Sequence, residues 1–194
     1  MTDPTSDDLA CVQSVGRGDA RAYRRLVDRY LLGITRFAAR ILNDAGEAEE
    51  VAQETFLRLW TEAAGFEPRA QPKTWLYRIA RNQCIDRLRK RRTRGGAALP
   101  LDEGAADASS GEDRPSLLFA RKQTALRVEQ ALDALPERQR AAITLVHYEG
   151  LSGAEACEVL EISLEALESL LTRGRRGLRE QLSELQSFRA GEGS

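Results

Sequence analysis

The residues best suited to chemistry lie between Lys73 and Arg94. Lys73, Arg78, Arg81, Arg87, Arg89, Lys90, Arg91, Arg92 and Arg94 stand there against a single acid, Asp86, with Trp75 and Tyr77 beside them. Cations follow phosphates and aromatic rings stack on bases, the combination that single-stranded nucleic acid demands. The plain alternative is a solvated basic face on an ordinary helix, and the two rings tip the balance toward nucleic acid. A second basic group, Arg173, Arg175, Arg176 and Arg179, recurs near the C-terminus. Between residues 47 and 54 the outward positions are instead Glu47, Glu50, Gln53 and Glu54. Acids at a helix start favour its dipole, yet this face lacks the lysines of a self-compensated i,i+4 surface.

Other chemistries find no support. His147 is the one histidine, so neither a histidine triad nor a two-histidine metal site can form within one chain, and it is expected at the rim of a core. No phosphate-cradling glycine loop, zinc-protease motif or nucleophile elbow occurs. No enzyme, metal or cofactor is expected. Cys11, Cys84 and Cys157 are odd in number and far apart, which argues against a disulfide framework. The acidic, polar start does not read as a signal peptide, and no apolar run approaches about 20 residues, so no membrane insertion is expected. The expected location is cytoplasmic. Net charge is only −1, but its signs are segregated along the 194 residues, which points to several partners of different charge.

Hydrophobic period places these groups on helices. A short helix over 7–17 precedes one capped by Asp19 and running to about Asn43, with Tyr23, Leu26, Val27, Tyr30, Leu31, Ile34, Phe37, Ala38 and Ile41 as its apolar stripe. The acidic helix follows over 47–60, with Val51, Thr55, Phe56 and Leu59 inward. A loop at 65–70 leads to the basic helix, opened by Pro72 at a position where its missing N–H costs nothing. Phe66 in that loop either plugs the core beneath it or meets a base. Residues 95–115 are small, acidic and rich in Gly and Pro, too poor in apolar surface to fold alone, and read as a flexible acidic linker. The expected fold is all-α, two small helical domains at 1–94 and 116–194 joined by that linker.

In the second domain Pro136 opens a helix to Glu149, which Gly150 closes. Ser152 and Glu155 form a capping box for a short helix, and Ser163 caps a longer one after a tight turn. A short helix, a turn and an arginine-rich helix make the helix-turn-helix pattern, which any αα-hairpin can imitate. If it is one, Ser163, Glu165, Ala166, Ser169 and Arg173 face the major groove, and Arg175, Arg176 and Arg179 lie nearer phosphates.

Two long stretches carry a resemblance. Glu47-Ala-Glu-Glu-Val-Ala-Gln-Glu-Thr-Phe-Leu-Arg-Leu-Trp60 and Thr74-Trp-Leu-Tyr-Arg-Ile-Ala-Arg-Asn-Gln-Cys-Ile-Asp-Arg-Leu-Arg-Lys-Arg91 resemble region 2 of bacterial extracytoplasmic-function sigma factors of the sigma-70 family. Leu135-Pro-Glu-Arg-Gln-Arg140, Glu149-Gly-Leu-Ser152 and Leu170-Leu-Thr-Arg-Gly-Arg-Arg-Gly-Leu-Arg179 resemble their region 4. The resemblance implies that Glu47, Glu50, Gln53 and Glu54 dock on the β′ clamp helices of core RNA polymerase. It implies that Phe66, Arg69, Lys73, Thr74, Trp75, Tyr77, Arg78, Arg81 and Asn82 meet the −10 promoter element where the duplex opens. The second domain would read the −35 element while resting on the β flap, and an anti-sigma factor would hold the protein inactive. Acidic Glu165 and Glu168 depart from the family's usual recognition-helix start and suit a cytosine amino group. The rival reading is a stand-alone helix-turn-helix repressor or activator, which leaves the acidic and basic helices without a task. A helical interaction protein without a nucleic-acid partner leaves both arginine clusters unexplained.

Overall fold

A computed structural model describes residues 4–67, 71–94 and 117–191. Arg69 and the proposed linker at 95–115 lie outside them. The described residues form eight α-helices and no strand: α1 (Pro4–Val15), α2 (Ala20–Leu42), α3 (Ala45–Glu62), α4 (Pro72–Arg94), α5 (Leu117–Asp133), α6 (Glu137–Ile143), α7 (Gly153–Leu160) and α8 (Leu164–Gly191).

Local chemistry sets several helix ends. The Asp19 carboxylate accepts from the N–H groups of Arg21 and Ala22 at 2.8 and 3.2 Å and starts α2. Asn43, in the left-handed region at φ 51°, ends it. Asp44 then accepts from Glu47 N at 2.9 Å, so α3 begins at Ala45, two residues before the sequence break suggested. Leu26, Ile34, Phe37 and Ile41 of α2 are buried with Val51, Phe56 and Leu59 of α3 and Leu76, Ala80 and Cys84 of α4. Leu31, expected in the stripe, is 42 % exposed. The buried stripe of α2 is therefore narrower than the sequence implied.

The helix expected over 137–149 is interrupted. After α6 the chain widens into a π-helical turn at Thr144–Tyr148, in which Glu149 N bonds to Thr144 O at 3.0 Å. The extra residue in the turn advances the register and sets Glu149 against the first half of the chain. Ser152 and Glu155 make the expected capping box on α7. The turn after α7 passes through Glu161 at φ 55°, and Ser163 Oγ accepts from Ala166 N at 3.2 Å to start α8. Gly177 lets α8 approach closely, because a Cβ there would stand 2.7 Å from Leu135 Cδ2.

The two halves are closed on one another. Buried apolar residues of both belong to one connected cluster. α4 packs on α7 and α2 on α6. Arg140 donates to the Ile41 carbonyl at 3.3 Å, Arg92 pairs with Glu137 at 3.0 Å, and the Arg40 guanidinium lies 4.2 Å over the Tyr148 ring.

Candidate nucleic-acid interface

The N-terminal turns of α4 carry most of the residues expected at melted DNA. Trp75 is buried and packs on half-buried Phe66 at 4.8 Å between ring centroids. These two rings, with Thr61, Glu62, Gly65, Glu67, Arg78 and Glu158, line an open recess of about 820 Å³. Phe66 packs on Trp75 at the edge of the core, the first of the two readings the sequence left open, and its other side walls the recess. Asn82 is exposed and accepts from Arg81 at 3.0 Å.

Thr74 and Tyr77 are placed differently from the expectation of a base-facing surface. Both are buried, because α4 turns this side toward α2. Tyr77 lies edge-on to Phe37 at 5.6 Å, and its hydroxyl donates to the Glu149 carboxylate. Burial, then that carboxylate, pushes the phenol pKa far above its ordinary value. Thr74 Oγ1 has no partner among the described residues.

The acidic face of α3 is less bare than its sequence suggested. Glu54 pairs with Arg58 one turn on at 3.6 Å. Arg87 reaches Glu50 at 3.5 Å and Glu54 at 3.6 Å, and Arg91 reaches Glu47 and Asp44 at 3.1 Å each. In the C-terminal half of α4, whose cations the sequence offered to phosphates, Arg87 and Arg91 pair with these acids while Arg89 and Lys90 are exposed. Apart from the i,i+4 pair Glu54–Arg58, the compensation was invisible in sequence because it comes from a neighbouring helix. Glu50 and Gln53 remain exposed. Beside them stand two apolar side chains that the sequence reading had not singled out, Leu57 at 60 % and Trp60 at 41 % exposure.

On α8, Glu165, Ser169, Arg173 and Arg176 are exposed at three- to four-residue spacing, with Ala166 half-buried beside them. Ser163 uses its hydroxyl as the helix cap. Arg173 donates to Ser169 O and Oγ at 3.3 and 3.0 Å, which holds its guanidinium along the exposed face. Arg175 points elsewhere, 3.2 Å from His147 Nε2, and that imidazole is exposed rather than at the core rim.

Comparison with known proteins bears directly on this arrangement. Residues 26–94 match the family model for Sigma-70 region 2, and residues 125–178 match that for Sigma-70, region 4. The ECF RNA polymerase sigma factor SigK of Mycobacterium ulcerans is 33 % identical over 94 % of this chain and 98 % of its own. SigW of Bacillus subtilis, of the same description, is 32 % identical over 90 % of this chain and 96 % of its own. The chain belongs to the extracytoplasmic-function sigma factors. Sigma factors are transcription initiation factors, and this one carries both regions on the helices described above. Its fold is similar to that of CnrH, solved in complex with the cytosolic domain of CnrY, with a TM-score of 0.69 at 25 % identity over 92 % of this chain and 98 % of that one. It also shares the fold of RpoE from Bartonella quintana, with a TM-score of 0.64 at 23 % identity over 84 % of this chain and 98 % of that one. No helix among the described residues of this sigma factor is long and apolar enough to cross a membrane.

Proposed function

We propose that this sigma factor docks on the β′ clamp helices of core RNA polymerase through Glu47, Glu50, Gln53 and Glu54. In this reading residues 1–94 form the unit that docks and opens DNA, and residues 116–194 form the unit that reads the −35 element and rests on the β flap. The recess between Phe66, Trp75 and Arg78 carries the proposal, since it sets aromatic walls and a guanidinium at the surface of one basic helix. A base leaving the stack finds rings to lie against there, and the neighbouring Lys73, Arg81 and Asn82 take the backbone. Thr74 and Tyr77 are buried on either side of Trp75 in the sequence of α4, and Arg69 follows Phe66 three residues on in the chain. On α8 the exposed row of Glu165, Ser169, Arg173 and Arg176 supports entry into a major groove, with Ser163 and Ala166 at the leading turn and Arg175 at the flank.

The protein carries out no reaction of its own; nucleotide addition belongs to the polymerase it recruits. It works in the cytoplasm, where that enzyme and the promoter are. Solved complexes of proteins with this fold, among them one with the anti-sigma factor NepR, support an anti-sigma factor as its regulator. Transcription in vitro with core polymerase on a promoter library, read by sequencing the start sites, tests the proposal. Discrete starts that need both the protein and core enzyme are expected. Tight, sequence-specific binding of duplex DNA by the protein alone, with no transcript, would overturn it.

A further inference from the structure

Four contacts join Lys73, Tyr77 and Arg81 of α4 to the second half of the chain. The Lys73 ammonium donates to the Glu149 carbonyl, and the Tyr77 hydroxyl donates to the Glu149 carboxylate. Arg81 donates to the Leu160 carbonyl and to Glu161, each at 3.3 Å. Glu158 of α7 lines the rim of the Phe66–Trp75 recess, where a nucleic-acid phosphate would meet a carboxylate.

A separate observation concerns Gly33, in the middle of α2. Glycine inside a helix is unfavourable, since the unfolded chain loses more freedom there than at alanine. A Cβ at this position would stand 2.5 Å from the Tyr77 hydroxyl oxygen and 2.9 Å from Glu149 Oε2. The missing side chain makes the space in which the Tyr77–Glu149 hydrogen bond forms. The π-helical turn at Thr144–Tyr148 is a second departure from regular helix, and it delivers Glu149 to the same place. Two local irregularities, far apart in sequence, converge on one contact.

We infer that Glu149 is an intramolecular latch: it holds the second domain over the basic helix and keeps the free sigma factor closed and unable to engage a promoter. The inference rests on the promoter reading above. Lys73 and Arg81 cannot serve phosphates while they serve Glu149, Leu160 and Glu161. Two separated promoter elements cannot be reached while their readers, α4 and the helix-turn-helix, are packed together. Core polymerase, by taking hold of each domain, supplies the differential binding that shifts the chain to the open form.

The test uses the full chain with Cys157→Ser and dye-accepting cysteines at Arg24 and Gln130, two exposed sites in different halves and outside the proposed docking and DNA-contacting residues. Distances are read by single-molecule energy transfer in wild type and in Glu149→Ala/Glu161→Ala, and transcription with limiting sigma factor is measured in parallel. Wild type is expected to give one narrow, short distance. The double variant is expected to broaden toward longer distances, with the open fraction rising about tenfold, the factor matching loss of a charge-assisted hydrogen bond, and transcript yield rising with it. A broad, long distribution in the wild-type chain overturns the latch, and so does a narrow one that the double variant leaves unchanged. Opening without a gain in transcript overturns its inhibitory role. A chain that opens as described but yields no transcript in any form overturns the promoter reading, a result the distance measurement tells apart from failure of the latch.

Discussion

Glu50→Lys separates docking from folding. The Glu50 side chain is 68 % exposed and its contact is Arg87 at 3.5 Å. Exposed pairs of this kind contribute roughly 0–1 kcal/mol, because water screens them and two long side chains must be ordered. The substitution also sets like charges side by side, so the expected loss is about 1 kcal/mol, a fall of roughly 2–4 °C in melting temperature for a chain this size. Docking is more sensitive. A carboxylate covered by cations of a partner loses its attraction and gains a repulsion, which costs about 2–3 kcal/mol, or roughly 30- to 150-fold in Kd. The assay is an anisotropy titration of labelled sigma factor with core polymerase at fixed salt, beside a thermal melt. Glu49→Lys is the matched control: it changes net charge identically from an exposed position next to Glu50 but outside the proposed docking set. Equal weakening by both variants would show that only net charge matters. A melting temperature lowered by more than about 10 °C would make the face structural. Either outcome refutes the docking assignment.

Arg173→Ala should leave stability within about 0.5 kcal/mol, since this guanidinium is exposed and bonds only to its own helix, while lowering transcription from promoters that depend on their −35 element; equal yield on such promoters counts against α8 as the reader. Ser152→Ala removes a capping-box acceptor of Glu155 N and should lower stability by about 1 kcal/mol in urea melts, with Ser152→Gly milder. Burial pushes the Cys84 thiol up to about 12 from its usual range. The unfolded thiol ionises near pH 8.5, so above that pH the unfolded state binds fewer protons and stability falls. The Cys84 contribution is complete below about pH 8.5 and is lost as pH rises toward 12. Urea midpoints at pH 8 and pH 10.5 should therefore converge more closely in Cys84→Ala than in wild type. At pH 8 a thiol reagent should label Cys157 well before Cys84.

Much of the fold was legible because helix ends are local events. Asp19, Ser152 with Glu155, and Ser163 bond to backbone groups within three residues, so their roles can be read without any knowledge of what lies across the molecule. The apolar periods of α2 and α3 likewise named most of what those two helices bury. α4 was harder. Its cations stand on every side, so its charge pattern did not say which side would be covered. The sequence reading accordingly gave Tyr77 to DNA and Arg87 and Arg91 to phosphate. Packing against α2 and α3 sent the ring into the core and the two guanidinia to carboxylates.

By itself, then, the amino-acid sequence determined an all-α chain, the order and caps of its helices, and two motifs belonging to extracytoplasmic-function sigma factors. Only the tertiary structure decided what each face meets. Hydrophobic period reports that a face will be buried but carries no label for its partner. The bond between Tyr77 and Glu149 joins residues 72 positions apart, and the space for it comes from Gly33 on a third helix. No local pattern encodes that coincidence; it exists only once α2, α4 and the turn after α6 have been brought together.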